Sequence, residues 1–364
     1  MMAILTKLAL IAVPVVFLGW FYRSTRPPPP KLCGSPNGPP VTSKRIRLRD
    51  GRYLAYREDG VPKEKASYRI VCVHAFGDSK DSSPALNLKE LAEELRIYFV
   101  SFDRAGYGES DPYPNRSVTS EAFDLEQLAD ELELGEKFYV VGASMGGCTA
   151  WACLKYIPHR LAGVALIVPV VNYWWPSLPP RVAEEGFRNH LVQDQWTLRV
   201  AHNAPSLLYW WMTQKWFPSL AALQGNPEVF SRRDHEVLEK IAQSQQQKEQ
   251  TEYRATPTQQ GVFESLHRDL ITAFGNWDFE PMDVENPLPE GEGSVHLWQG
   301  CEDRFVPVVL QRYVAKKLPW TKYHEIPDGG HLVMLMDGMA ETILRALLLG
   351  EESSDMSNLV EPSA

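Results

Sequence analysis

Phe138 to Gly147 reads FYVVGASMGG and sets Ser144 between Gly142 and Gly146, directly after a β-branched run. On one side, KFYVV has the residues of a buried strand. On the other, GGCTAWACLKYI is a helix of small and apolar residues that can pack closely on a sheet. A strand that breaks sharply into a helix lifts a serine hydroxyl above the sheet edge, and it needs small residues two positions either side. Gly142 and Gly146 supply them. The five-residue pattern G-x-S-x-G is short enough to arise by chance, so its surroundings decide its meaning.

Working outward, YRIVCVHAF, IYFVSFD and LAGVALIVPVV are near-continuous apolar strands, and LKELAEELRI and TSEAFDLEQLADEL are amphipathic helices between them, with Ser120 the expected N-cap of the second. Buried strands alternating with helices predict an α/β fold, a mostly parallel sheet covered on both faces. RIRLRDGRYLAYRE, around Asp50-Gly51, reads as an added hairpin. The alternation stops near Asn172. Residues 173–285 are helical and hold seven of the eleven tryptophans. It resumes with SVHLWQG and KYHEIPD. The expected organisation is therefore an anchor and linker (1–31), a core in two parts (32–172 and 286–350), an inserted helical segment (173–285) and a polar tail (351–364).

Formal net charge is −9, which excludes the basic footprint of a nucleic-acid binder. The five cysteines are widely spaced and form no C-x-x-C. That argues against a disulfide framework or zinc site and for free thiols in a reducing compartment. No metalloprotease H-E-x-x-H, P-loop or dinucleotide fingerprint occurs, so no metal or cofactor is expected. Near the N-terminus, Leu8–Tyr22 carries no charge. Extended back to Ala3 with Lys7 snorkelling, this segment is long enough to span a membrane. Nine basic residues between Arg23 and Arg57 face one acid, Asp50, which predicts an uncleaved anchor with the body in the cytosol, the endoplasmic reticulum being one such membrane. Pro27–Pro30 would be a stiff spacer.

A serine needs a base to act as a nucleophile near neutral pH. Of nine histidines, five fall on predicted helices or in the insertion, and His296 and His324 sit inside strands, where they pack. His331, in IPDGGHL, follows the last strand on its C-terminal side, the edge at which open α/β sheets build sites. It is the expected base. An orienting acid is available in LWQGCEDRFVPV, where Asp303 is preferred over Glu302; the other suitable position, after LAGVALIVPVV, holds Asn172. The expected oxyanion donors are the backbone N–H groups of Met145 and Phe76.

In order along the chain, VHAFGDS, FDRAGYGESD, VGASMGG, WQGCEDRFVP and PDGGHL resemble the α/β-hydrolase superfamily, in particular its cap-bearing, plant-type esterase- and lipase-like members, over roughly Val41 to Gly350. The chain order Ser144, Asp303, His331 fits. The resemblance implies serine-dependent cleavage of an ester through an acyl-enzyme, with Asp103 and Arg104 bracing a loop. An aspartate, not a serine, stands at the elbow of epoxide hydrolases and haloalkane dehalogenases of this fold. One departure is Ala75, where the family usually has glycine; if that position requires φ > 0, alanine is strained there. The insertion is expected to roof a roomy apolar pocket for a small or medium apolar ester. Some plant relatives are hormone receptors, so ligand binding with slow hydrolysis is the alternative function. The sequence sets neither the substrate nor the oligomeric state.

Overall fold

The apolar runs pair into one sheet. The computed structural model describes residues 15–16, 19–82, 88–246, 256–288, 291 and 293–351. Its strands are β1 (Lys44–Arg47), β2 (Tyr53–Gly60), β3 (Tyr68–Val73), β4 (Ile97–Phe102), β5 (Phe138–Ala143), β6 (Leu161–Ile167), β7 (Val295–Gly300) and β8 (Thr321–Ile326). They lie in the order β1-β2-β4-β3-β5-β6-β7-β8. The β1–β2 hairpin joins β4 antiparallel; β4 and all later neighbours run parallel. This is the α/β-hydrolase architecture.

Every residue of β4 and β7 is buried, because helices cover both faces. Helices α1 (Lys89–Leu95) and α10 (Met339–Leu349) pack on the face carrying Cys72, Phe99, Ile167 and Trp298. Helices α2 (Val118–Glu131), α3 (Gly146–Tyr156) and α9 (Val308–Lys317) pack on the face carrying Val71, Val100, Phe102 and Val140. Helix α3 is buried from Gly146 through Leu154, as its small residues require. The N-cap of α2 is Ser117, not Ser120. The Ser117 side chain accepts the Ser120 N–H at 3.1 Å while Ser120 Oγ accepts the Ser117 N–H at 2.9 Å. The helix thus begins one residue after Ser117, and Ser120 closes a capping box.

Between β6 and β7 the chain passes through α4 (Pro180–Arg188), α5 (Val192–Asn203), α6 (Leu208–Thr213), α7 (Arg232–Gln246), a π-helical turn at Phe263–His267 and α8 (Arg268–Phe274). Asn172 ties the two ends of this excursion together, donating to Gly275 O at 2.7 Å and accepting from Trp174 N at 3.0 Å.

Residues 1–14 and 17–18 of the expected anchor, and all of the expected tail but Glu351, fall outside the described residues; among the described residues no helix is long and apolar enough to cross a membrane. The linker is tied to the body from Lys31 onward. Lys31 N donates to Gln260 O at 2.8 Å, Cys33 N donates to Gln260 Oε1 at 3.0 Å, and Glu109 accepts the N–H groups of Thr42 and Ser43 at 2.9 and 3.0 Å.

Candidate active site

Ser144 adopts φ +51°, a left-handed conformation uncommon for a residue with a Cβ and worth about 1–3 kcal/mol of strain. The surroundings hold it there. Ser144 N–H donates to Ile167 O at 2.9 Å, and Ser144 O accepts from Val170 N at 3.1 Å. The loop after β6 matches this by its own strain, since Val168 has φ +43°. A Cβ on Gly142 would lie 2.5 Å from Gly146 O, and one on Gly146 would lie 2.3 Å from Val73 O. The glycines flanking the serine are therefore steric necessities.

His331 Nε2 lies 2.9 Å from Ser144 Oγ, and His331 Nδ1 lies 2.8 Å from Asp303 Oδ2. With Nδ1–H donated to the carboxylate, Nε2 is free to accept the serine proton. Asp303 is itself fixed: Oδ1 accepts the N–H groups of Phe305 and Val306 at 2.8 and 2.9 Å. Burial alone would lower the His331 pKa, but the charge and hydrogen bond of Asp303, aided by Asp234, outweigh it and leave the imidazole above its ordinary 6.5. Glu302 points to solvent. His296 and His324 stack on each other at 5.2 Å, with Trp298 over His324 at 3.8 Å. Burial pushes them to about 3 and about 4, so they pack as neutral rings.

Sequence reasoning missed Asp234. It is 1% exposed and belongs to the first turn of α7, in the insertion. Asp234 Oδ2 accepts from His331 N at 3.1 Å and from Ser231 N at 3.0 Å, and Oδ1 accepts from Leu332 N at 2.7 Å. Ser231 Oγ in turn accepts the Asp234 N–H at 3.1 Å. A Cβ on Gly330 would fall 2.1 Å from Asp234 Oδ2, so the glycine before His331 makes room for this acid. The S-x-x-D spacing of a capping box is visible in SRRD; that it also clamps a loop 97 residues away is not. Asp234→Ala leaves three N–H groups, that of buried Ser231 and those of half-buried His331 and Leu332, without this acceptor. It should cost about 2–4 kcal/mol of stability and, if hydrolysis runs through His331, lower kcat more than it changes KM. A denaturant titration and steady-state kinetics check both.

The turn after β3 carries Phe76, one of the two expected oxyanion donors. Ala75 is not among the residues with positive φ; Gly77 takes that role at +71°, so the strain feared at Ala75 does not arise. His74 Nδ1 donates to Ala75 O at 2.8 Å, and His74 Nε2 accepts the Arg104 N–H at 3.0 Å. Arg104 Nη2 also donates to Ala75 O at 3.3 Å. The arginine is held by Asp269 of α8 in a bidentate pair at 2.5 and 2.7 Å, and Asp269 also binds Arg116 and the Tyr107 hydroxyl. Asp103 accepts from Lys80 Nζ at 3.0 Å and from Glu109 N at 3.0 Å. Both residues of the Asp-Arg pair thus brace loops. Phe76 packs its ring against the core. Met145 stands at the start of α3, its neighbour Gly146 against the Val73 and His74 carbonyls.

A cavity of about 150 Å³ opens beside Ser144 and His331, lined chiefly by small and aliphatic residues. Among the described residues no tryptophan lines it. The insertion's tryptophans pack instead: Trp174 stacks on His202 at 4.2 Å, Trp175 lies edge-on to Trp277 at 5.2 Å, and Trp211 donates to Thr197 Oγ1 at 2.7 Å. Trp196 and Trp216 are exposed.

The family model described as "Alpha/beta hydrolase family" matches residues 70–344. "Probable lysophospholipase BODYGUARD 2" of Arabidopsis thaliana is 22% identical over 293 residues, 76% of this chain and 57% of that protein. The chain thus spans a little over half the length of that relative. Among solved structures, the enol-lactonase of Burkholderia xenovorans LB400 superposes with a TM-score of 0.56 at 16% identity, covering 85% of this chain and 100% of that one. A thermophilic esterase of Thermogutta terrifontis gives 0.52 at 21% identity, covering 84% and 96%. At such identities the structural likeness speaks for the fold.

Proposed function

We propose that this chain, which belongs to the alpha/beta hydrolase family, is a serine hydrolase that cleaves a carboxylic ester with a small or medium apolar acyl group. The observation that carries this reading is the continuous hydrogen-bonded line from Ser144 Oγ through His331 to buried Asp303, starting from a serine held at positive φ. Ser144 Oγ attacks the ester carbonyl as its proton passes to His331 Nε2. The carbonyl oxygen becomes an oxyanion, received by the N–H groups of Met145 and Phe76. His331 then protonates the departing alcohol, the carbon–oxygen bond breaks, and the acyl group stays on Ser144 until water repeats the sequence. The name of the Arabidopsis relative fits an ester of an apolar chain. Purified protein should turn over p-nitrophenyl butyrate or octanoate at about 1 per second or faster, within the range of ordinary enzymes. Binding without turnover would favour the receptor reading instead.

The pH profile follows from the base. His331 must be neutral to accept a proton, and its pKa is raised. kcat/KM should therefore climb with pH through a value above 6.5 and reach a plateau on the alkaline side. Asp303→Asn removes the charge that raises it, so the limb should move to lower pH while the plateau falls by about 10⁴-fold. A rate profile between pH 5 and 9 tests both.

The apolar segment from Ala3 to Tyr22 is proposed to hold the enzyme on a membrane, its basic flank in the cytosol. Deleting residues 1–26 should move the protein into the soluble fraction; a full chain already soluble, or glycosylated at Asn115, contradicts this.

A further inference from the structure

The cavity beside Ser144 has a polar end that the hydrolytic scheme does not use. Ser101 on β4, Cys72 on β3 and Val141 on β5 are register partners in adjacent strands, so they stand in one row on the face covered by α1 and α10, and all three line the cavity. Ser101 is 3% exposed, yet its hydroxyl has no hydrogen-bond partner among the described residues. Its alternate neighbours on that face of β4, Ile97 and Phe99, are apolar core residues. A buried hydroxyl left unpaired costs stability, and here its residue lines a space that also contains the nucleophile. Asp78, Ser79 and Ser82, from the segment after β3, add polar groups to the lining. Asp78 accepts the Ser79 N–H at 2.8 Å, and burial raises its pKa.

We propose that this end is an acyl subsite for a chain carrying a hydroxyl group, with Ser101 Oγ as the hydrogen-bond partner of that hydroxyl and Asp78 as the nearby polar wall. The proposal rests on the hydrolase reading above and names its substrate class. The acyl half is the half assigned here, because it stays on Ser144 after the alcohol has left. Two strand spacings, about 10 Å in all, separate Ser101 on β4 from β5, whose end carries Ser144. The hydroxyl therefore sits near the far end of a chain of about six to eight carbons.

The test compares p-nitrophenyl octanoate with p-nitrophenyl 8-hydroxyoctanoate, using the full chain. Wild type should favour the hydroxylated ester by about 10-fold or more in kcat/KM. Ser101→Ala should bring the ratio to one or below, and Ser101→Thr, which keeps a hydroxyl, should restore part of it. A wild-type ratio at or below one, or a ratio that Ser101→Ala leaves unchanged, overturns the subsite. Calorimetry on Ser144→Ala protein with octanoate and 8-hydroxyoctanoate supplies a readout independent of turnover. The hydroxy acid should bind about 10-fold tighter, and adding Ser101→Ala should abolish the difference. Tighter binding with no turnover of either ester sinks the hydrolase reading and keeps the subsite. Turnover of both esters without preference does the reverse, and neither turnover nor preference sinks both.

Discussion

Ser144→Ala is expected to lower kcat for ester hydrolysis by about 10⁵-fold or more, and His331→Ala by a similar factor. In the proposed mechanism the two side chains act as one device: the hydroxyl is 2.9 Å from the imidazole that would take its proton, and neither would perform its half of the step alone. The losses should therefore not add. The double variant should be no slower than the worse of the two single variants, with residual rate left to substrate binding and the backbone donors. Steady-state and single-turnover kinetics on the three variants check this. A loss below about 100-fold in Ser144→Ala, or multiplicative losses in the double variant, would place the chemistry elsewhere.

Asp269→Ala should be the most damaging substitution away from that line. Asp269 is 2% exposed and bonds two buried guanidinium groups and a tyrosine hydroxyl. Removing it leaves Arg104 buried beside Arg116 with one acid, Glu121, between them. Breaking a buried pair in this way costs about 3–5 kcal/mol, readable as a lower urea midpoint. Burial alone would raise the Asp269 pKa, but the two arginines hold it well below the ordinary carboxylate range. A depressed pKa contributes stability that is present above the unfolded value and lost as the solution is acidified through the folded one. The difference between wild type and Asp269→Ala should accordingly shrink below about pH 4. Because Arg104 also holds Ala75 O and His74, kcat should fall with stability. A loss under 1 kcal/mol would mean that the network is not what fixes this turn.

The sheet was legible in the sequence because its inner strands, β3 to β7, are largely apolar on both faces, so each reads as a run without needing a partner. That Ser144, Asp303 and His331 come together was legible for a related reason. Each follows a readable strand, and the parallel order brings those strand ends to one edge. Asp234 and Asp269 were not. Each reads as an ordinary acid near the start of a helix in the insertion, and its role is set by how that segment lands on a loop far away in the chain. The tryptophans were ambiguous for the same reason: their number marks an apolar segment, but only tertiary packing decides that Trp174 and Trp211 face other side chains and not the cavity. At Ala75 the sequence located the turn correctly but not which residue bends it; the left-handed position is two residues on, at Gly77.

The insertion therefore does more than lie beside the sheet. Asp234 holds the backbone of the His331 loop, and Asp269 holds the arginine that supports the turn after β3. Both sides of Ser144 are fixed by acids that enter from the same excursion of the chain. The reaction of Ser144 itself is the most direct test. The full chain is incubated with a fluorophosphonate, digested and examined by mass spectrometry. One phosphonyl adduct is expected, on the peptide containing Ser144, absent from Ser144→Ala and forming far more slowly in His331→Ala. No adduct on the wild-type chain, or an adduct that persists in Ser144→Ala, would contradict it.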